Sequence, residues 1–359
     1  MVYNDLTILL SASNSPSIPG IVKCIKENGE RNIKVVGVDM NNDPSSKYVV
    51  DTFYTVPAAT DPKYCDIILD ICKKESVDIY FPGISAEVTV ITRRKKDFES
   101  IGVILSVSEQ SSVEISNNKL KAYQFLKEKG ITVPTFIPVL SEKDFVEGCK
   151  TLGYPEKPVC LKIVNGSGSR GVRIIDGKKS LYNLFAYEKA NSLYTSYDYM
   201  LSIIRSAKHL EPMMLLEYMH GPEYTVDLLA DKGKVIYEVG RENVVSLLSI
   251  AQETVLKYNE IAYETCRTIV KVLNMDGNIG FDFMWNEREQ PMLMDINPRI
   301  TATISIAAAG GVNLVYLRIK QLLGESLQNY KPIYGTRLKR RYGEIYTNPN
   351  GEIIKKFNK

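Results

Sequence analysis

An apolar run carrying a single carboxylate constrains this chain more than any other stretch. Met292-Leu293-Met294-Asp295-Ile296 is hydrophobic apart from Asp295, and it continues into Asn297-Pro298-Arg299-Ile300. Such a run reads as a buried strand, and an acid inside it is costly to bury unless a cation or hydrogen bonds hold it. Strand alternation places Asp295, Asn297 and Arg299 on one face. The first two offer oxygen ligands suited to a hard cation such as Mg²⁺, and the third can hold an anion beside it. Residues 278–285 form a second apolar run with one acid inside, Asp282. The polar segment Asn286-Glu287-Arg288-Glu289 between the runs predicts a hairpin in which Asp282 meets Asp295. For Asp295 alone, an acid tied to a backbone amide at a strand end is the plainer reading. The pair together with Asn297 and Arg299 favours a metal site.

The chain has 359 residues, enough for two or three domains and an ample core. Its 45 basic and 42 acidic residues leave a net charge of +3, too balanced to call for a nucleic acid or an anionic membrane as partner. No basic leader opens it, and no apolar run approaches the ~20 residues that a membrane span needs. The six cysteines are scattered without a Cys-x-x-Cys pair, which suits a reduced, cytoplasmic protein. Two histidines, His209 and His220, cannot make a His-rich zinc site.

Strand and helix alternate through the first third. Strands are expected at Leu6–Leu10, 33–38, 78–81 and 103–105, and helices at 18–28, 62–74 and 85–96; such alternation predicts a parallel sheet. The loop after the first strand lacks Gly-x-Gly-x-x-Gly, which disfavours NAD. Pro82-Gly83 and then Glu87 can shape a substrate crevice, with a strand-end turn and a capping acid as the plainer reading. A boundary near residue 117 precedes a helix over 120–129 that opens on Lys119. A cation at the positive end of a helix dipole is out of place unless an anion binds there.

Residues 158–164 form an apolar strand with one lysine, Lys162, and run into Asn165-Gly166-Ser167-Gly168-Ser169-Arg170-Gly171. A glycine loop of this kind can wrap a phosphate in backbone amides, although a Walker A loop would need Gly-Lys-Ser/Thr and a following helix. Residues 178–210 read as mainly helical. A strand over 213–216 leads to Glu217, Tyr218 and Met219, whose backbone can face a planar base. A hairpin is expected over 224–230 and 234–239, with Arg241 just beyond it as a candidate anion contact. Long helices are expected over 250–273 and 301–323, the second aiming its positive end from Thr301 and Thr303 at the point beside Arg299.

Read in order, Lys119, Lys162 with its glycine loop, Glu217, Glu223, Asp282 and Asp295-x-Asn297-x-Arg299 resemble the ATP-grasp superfamily. The likeness is to the branch of the carbamoyl phosphate synthase large subunit and biotin carboxylase, and it spans roughly residues 1 to 325. The resemblance implies an α/β protein: a Rossmann-like pre-ATP-grasp parallel sheet over 1–117, then an α+β ATP-grasp domain over 118–330 with its lid at about 130–217. A C-terminal strand and tail would occupy 331–359. It implies ATP and Mg²⁺ (or Mn²⁺) as cofactors. Lys119 and Lys162 would contact phosphates, and Gly166, Ser167, Gly168 and Gly171 would close over them. Glu217, Tyr218 and Met219 would line the adenine site and Glu223 the ribose. Asp282, Asp295 and Asn297 would carry the metal, while Arg299, Lys162 and, more weakly, Arg241 would act in catalysis. The acids are Asp where many members have Glu. No second ATP-grasp half, glutaminase portion or biotinyl Met-Lys motif is present. The expected activity is therefore a stand-alone carboxylate–amine ligase forming ADP, with a small acid and an amine as substrates and a homodimer left open. A carboxyphosphate-forming kinase and a non-catalytic ATP sensor are the alternatives.

Overall fold

In the computed structural model, residues 3–354 are described, apart from 167, 169, 190, 191, 248, 249 and 342. The alternating first third folds as β1 (Leu6–Leu10), α1 (Ile18–Lys26), β2 (Ile33–Asp39), β3 (Thr52–Thr55), α2 (Tyr64–Glu75), β4 (Ile79–Phe81), α3 (Ser85–Arg93), α4 (Lys95–Ser100), β5 (Ile104–Leu105) and α5 (Gln110–Ser116). Its strands are parallel in the order β3-β2-β1-β4-β5. The near-continuous burial of β1 and β2 reflects a sheet covered on both faces. The single helix expected over 85–96 breaks at Arg94, and the edge strand β3, half-exposed and only four residues long, gave no strand signal.

Next, α6 (Lys119–Glu128) starts at Asn118, whose side chain accepts from the Lys121 amide. A second sheet follows: β6 (Phe136–Val139), α7 (Glu142–Thr151), β7 (Val159–Ile163), β8 (Val172–Ile175), α8 (Leu181–Tyr187), β9 (Tyr194–Thr195), α9 (Tyr197–Ser206) and β10 (Met213–Glu217). Its order is β6-β10-β7-β8-β9, antiparallel except for the β8–β9 pair. The stretch 178–210 is thus two short helices around a strand rather than mainly helix. Ser180 and Ser196 each cap a new start.

The third sheet is built from the chain segment β11 (His220–Asp231), β12 (Lys234–Leu247), β13 (Ile250–Leu256), α10 (Glu260–Val272), β14 (Gly277–Trp285), β15 (Pro291–Asn297), α11 (Ser305–Ala309), α12 (Leu314–Leu322) and β16 (Arg337–Lys339), whose six strands form the sheet. It is antiparallel throughout, in the order β15-β14-β11-β12-β13-β16. Two expectations fail here. The helix over 250–273 is a strand followed by a helix: β13 fills the gap between β12 and β16, and Asn259 caps α10 by accepting from the Ala262 amide. The helix over 301–323 is two helices, because the chain turns at Gly310-Gly311 and Asn313 caps the second. Thr301 and Thr303 therefore lie before a five-residue helix, too short to aim a dipole at the site.

Three hydrophobic clusters hold the sheets together. Leu6, Ile8 and Val35 of the parallel sheet share a core with Ile300, Ile304, Leu314 and Leu317. The third sheet packs Tyr224, Val226 and Phe281 against Ala262, Cys266 and Ile269 of α10. The second and third sheets meet through Tyr123, Cys160, Met214, Leu216, Met219, Met292 and Met294. Among the described residues, no helix is long and apolar enough to cross a membrane.

Candidate active site

The hairpin expected from two apolar runs forms as β14 and β15, and Asp282 lies directly across from Asp295. Because cross-strand partners share a face, a polar row runs over the third sheet. Asp295 faces Asp282, Asp282 faces Thr225, and Thr225 faces Arg241. The Thr225 hydroxyl donates to Asp282 Oδ1 at 2.8 Å, and Asn297 Nδ2 donates to Asp282 Oδ2 at 2.9 Å. Burial, with Glu223 and Asp295 adding their negative charge, raises the Asp282 carboxyl to about 7, against the pull of Thr225 and Arg241. Crowded acids of this kind are what a divalent cation relieves. Asp282 and Asp295 supply the hard oxygens for one. The Asn297 oxygen is the third candidate, and here it accepts from Arg299 Nη2 at 3.2 Å. Among the described residues no three His, Cys, Asp or Glu side chains gather as a metal cage. A cation would therefore take part of its coordination from outside the chain, the usual arrangement for Mg²⁺.

Helix α6 brings the first lysine to these acids. Its first amide, at Lys119, donates to the Val164 carbonyl at the end of β7, and Tyr123 donates to the Leu293 carbonyl of β15. The helix thus bridges the two sheets. Lys119 Nζ lies 3.0 Å from Asp295 Oδ2 and 2.9 Å from the Gly166 carbonyl. Lys162 sits on β7 with 8% exposure, and its ammonium has no ion pair among the described residues. Gly166, Gly168 and Gly171 carry the turn from β7 to β8; Ser167 lies outside the described residues.

On the second sheet, Glu217 ends β10 and its carboxylate accepts from the Thr135 amide at 2.7 Å. Tyr218 is half-buried with its hydroxyl 3.3 Å from that of Tyr194, and Met219 is buried in the methionine-rich seam. Glu223 does not group with these residues: its charge acts on Asp282 and Arg241. Arg299 is half-buried. It donates to the Ile300 carbonyl and Asn297, its Nε has no partner among the described residues, and burial lowers its pKa despite Asp282 and Asp295.

Arg241 is buried rather than a surface cation. Its Nε lies 2.8 Å from Asp227 Oδ2 and its Nη1 2.5 Å from Asn243. Burial works against its charge, but Asp227, with Asp282 and Glu223, outweighs burial and the pKa rises. Glu87 is also interior and shapes no open crevice: Ser11 and Tyr64 donate to it at 2.5 Å each, with Tyr80 and the Gly83 amide completing the set. Asp227 and Asn243 belong to the polar face, and neither they nor Arg340 of the C-terminal segment were singled out by sequence. Asp227 sits in an apolar strand, as Asp282 does, and that signal could have found it. Arg340 lies among other basic residues of the C-terminal segment, where nothing distinguishes it.

Residues 209–342 match the family described as ATP-grasp in the biosynthetic pathway with Ter operon, and residues 10–106 match the PylC-like N-terminal domain. The chain is 25% identical over 337 residues to the carbamoyl phosphate synthase large chain of Clostridium acetobutylicum, which takes in 89% of this chain and 28% of that one. It therefore spans little more than a quarter of that relative. Its fold is similar to N5-carboxyaminoimidazole synthetase from Staphylococcus aureus, with a TM-score of 0.65 at 16% identity over 93% of this chain and 82% of that one. It is likewise similar to biotin carboxylase from Campylobacter jejuni, with a TM-score of 0.66 at 18% identity over 91% and 73%.

Proposed function

The chain carries an ATP-grasp domain behind a PylC-like N-terminal domain, and from that premise we propose that it is a Mg²⁺-dependent ligase. It activates a small carboxylate with ATP as an acyl phosphate and joins it to an amine, releasing ADP and phosphate. The observation that carries this reading is the meeting of Lys119 with Asp295, across from Asp282, where α6 bridges two sheets. Cations for phosphates and oxygens for a metal stand together there.

In this reading Lys119 and Lys162 bind the phosphates, and the loop of Gly166, Ser167, Gly168 and Gly171 closes over them. Lys119 exchanges Asp295 for phosphate when the nucleotide enters. Glu217, Tyr218 and Met219 receive the adenine. Glu223 stands with the acids of the polar row, which favours a metal-side role over a ribose contact. Asp282, Asp295 and Asn297 hold the cation, which supplies the positive charge that lets a carboxylate approach the γ-phosphate. The carboxylate oxygen bonds to γ-phosphorus, and the bond to the ADP oxygen breaks. The amine then attacks the acyl carbon, phosphate departs, and the amine loses a proton. Arg299 steadies the phosphoryl oxygens during transfer, and Arg241 orients the Asp227–Asn243 side of the row.

A phosphate-release screen over paired acids and amines, with products read by mass spectrometry, tests this. Bicarbonate belongs among the acids because the relatives' names include carbamoyl phosphate synthase and biotin carboxylase. Release that needs both an acid and Mg²⁺, and that Asp295→Asn abolishes, is expected. ATP binding without release for any acid would leave a sensor.

A further inference from the structure

Resting on this ligase reading, we propose that Lys119 is an internal counter-ion that guards the metal end of the site. While its ammonium faces Asp295, that carboxylate is closed to free divalent metal, and phosphate opens it by drawing Lys119 away.

Every side-chain oxygen of Asp282, Asp295 and Asn297 already faces a donor of this chain. Asp282 Oδ1 accepts from the Thr225 hydroxyl at 2.8 Å, and its Oδ2 from Asn297 Nδ2 at 2.9 Å. Asp295 Oδ1 accepts from the Ile296 amide at 3.1 Å, and Asn297 Oδ1 from Arg299 Nη2 at 3.2 Å. The remaining oxygen, Asp295 Oδ2, has Lys119 Nζ at 3.0 Å. Three of these donors are neutral, and Arg299 grips an amide oxygen. Among the described residues, Lys119 alone sets a full positive charge against a carboxylate oxygen of this set. Two cations at one oxygen repel each other, and a carboxylate already neutralised attracts a further cation less. Mg²⁺ also gives up its water reluctantly. The ammonium therefore competes with free metal for the same seat.

The contact is firmly held, yet only one side chain must move to break it. The same ammonium donates to the Gly166 carbonyl at 2.9 Å, so a single lysine joins the acids to the glycine turn. Gly166 is closely packed: a Cβ there would meet the Arg170 carbonyl oxygen at 2.7 Å. Tyr123 lies one turn from Lys119 on the same face of α6 and pins the helix to the Leu293 carbonyl. The Lys119 side chain is 12% exposed, against 79% for Lys143 beside Glu147 and 58% for Lys157 beside Glu287. Water and salt screen those surface pairs far more than this one. The flexible four-carbon stem of Lys119 can still swing to a phosphate without disturbing the helix.

Titration of the full chain with Mn²⁺ provides the test, because the paramagnetic resonance signal of the unbound ion reports how much is taken up. Without nucleotide, the wild type should bind Mn²⁺ weakly. Lys119→Met, which keeps the stem and drops the charge, should bind it roughly 10- to 100-fold tighter, the scale of one charge-assisted contact. Lys119→Gln should gain alike, and Lys119→Arg, which retains a cation, should stay near the wild type. Adding Asp295→Asn to Lys119→Met should abolish the gain. No gain in Lys119→Met or Lys119→Gln, an equal gain in Lys119→Arg, or a gain that survives Asp295→Asn overturns the proposal. So does a wild type that binds ADP yet holds Mn²⁺ no more tightly with it, a result that depends on no variant folding. Calorimetry with MgADP is run beside these titrations. Failure of the wild type to bind it sinks the ligase reading, and the metal-alone comparison of the Lys119 variants then decides the counter-ion by itself.

Discussion

Single carboxylates decide much of this molecule, and two of them are held in opposite ways. Asp282 sits among acids that ask for a cation. Glu87 has no cation among the described residues and is held by hydroxyls and one amide. Burial raises the Glu87 pKa, while the donors from Ser11, Tyr64, Tyr80 and Gly83 oppose the rise. The folded state therefore favours its protonated form more than the unfolded chain does, where the value is about 4.3. Its contribution is fully present below that pH and is lost as pH rises through the higher folded value. Urea unfolding of the wild type and Glu87→Gln between pH 4 and 8 should show the wild type losing ground to the variant as pH rises. A difference that does not change with pH would contradict this. The Asp282–Asp295 meeting was legible in the sequence because an acid inside an apolar strand has few tolerable fates, and a four-residue polar turn fixes which strand it faces. The burial of Glu87 was not legible: its partners Ser11, Tyr64 and Tyr80 come from three other elements, and no local spacing announces them.

At the scale of elements, periodicity succeeded where one neighbour sets an element's fate and failed where the sheet does. Residues 250–256 carry apolar spacing that fits a helix, yet β12 and β16 offer unpaired edges on both sides and the segment pairs with them. The β7–β8 turn was legible from its glycines, and one of them is strict. Gly171 has φ +69°, and a Cβ there would meet Ile163 Cδ1 at 2.6 Å and Cβ at 2.9 Å. Rotating Ile163 cannot relieve the second contact. Gly171→Ala therefore adds a clash to the backbone strain, which alone costs roughly 1–2 kcal/mol. Denaturant unfolding should show a loss of about 2–4 kcal/mol. The same variant should bind MgADP more weakly, since the turn must shift away from Lys162. A cost under about 1 kcal/mol would mean that the turn rearranges freely.

Over the whole molecule, the parallel sheet packs against the elements of the third sheet across the boundary expected near residue 117. Leu6, Ile8 and Val35 share one core with Ile300, Leu314 and Leu317. The Ser108 hydroxyl donates to the Asp276 carbonyl at 2.8 Å and accepts from the Asp276 amide, and Ser112 donates to the Leu273 carbonyl. Arg318 closes this seam. It holds Asp276 by two bonds, Gln321 at 2.8 Å and Ser106 at 3.1 Å, and its side chain is only 2% exposed. Contacts of such sequence separation leave no periodic trace, so a local reading sees the boundary near residue 117 and not the packing across it. Arg318→Met leaves Asp276 and Ser106 without their shared donor. The expected cost is about 2–4 kcal/mol, somewhat below a fully buried pair because Asp276 reaches solvent. If the two sheets unfold together, calorimetry should give one transition for the wild type and a single transition at lower temperature for the variant. Two resolved transitions, with Arg318→Met moving only one of them, would show that the shared core does not couple the sheets.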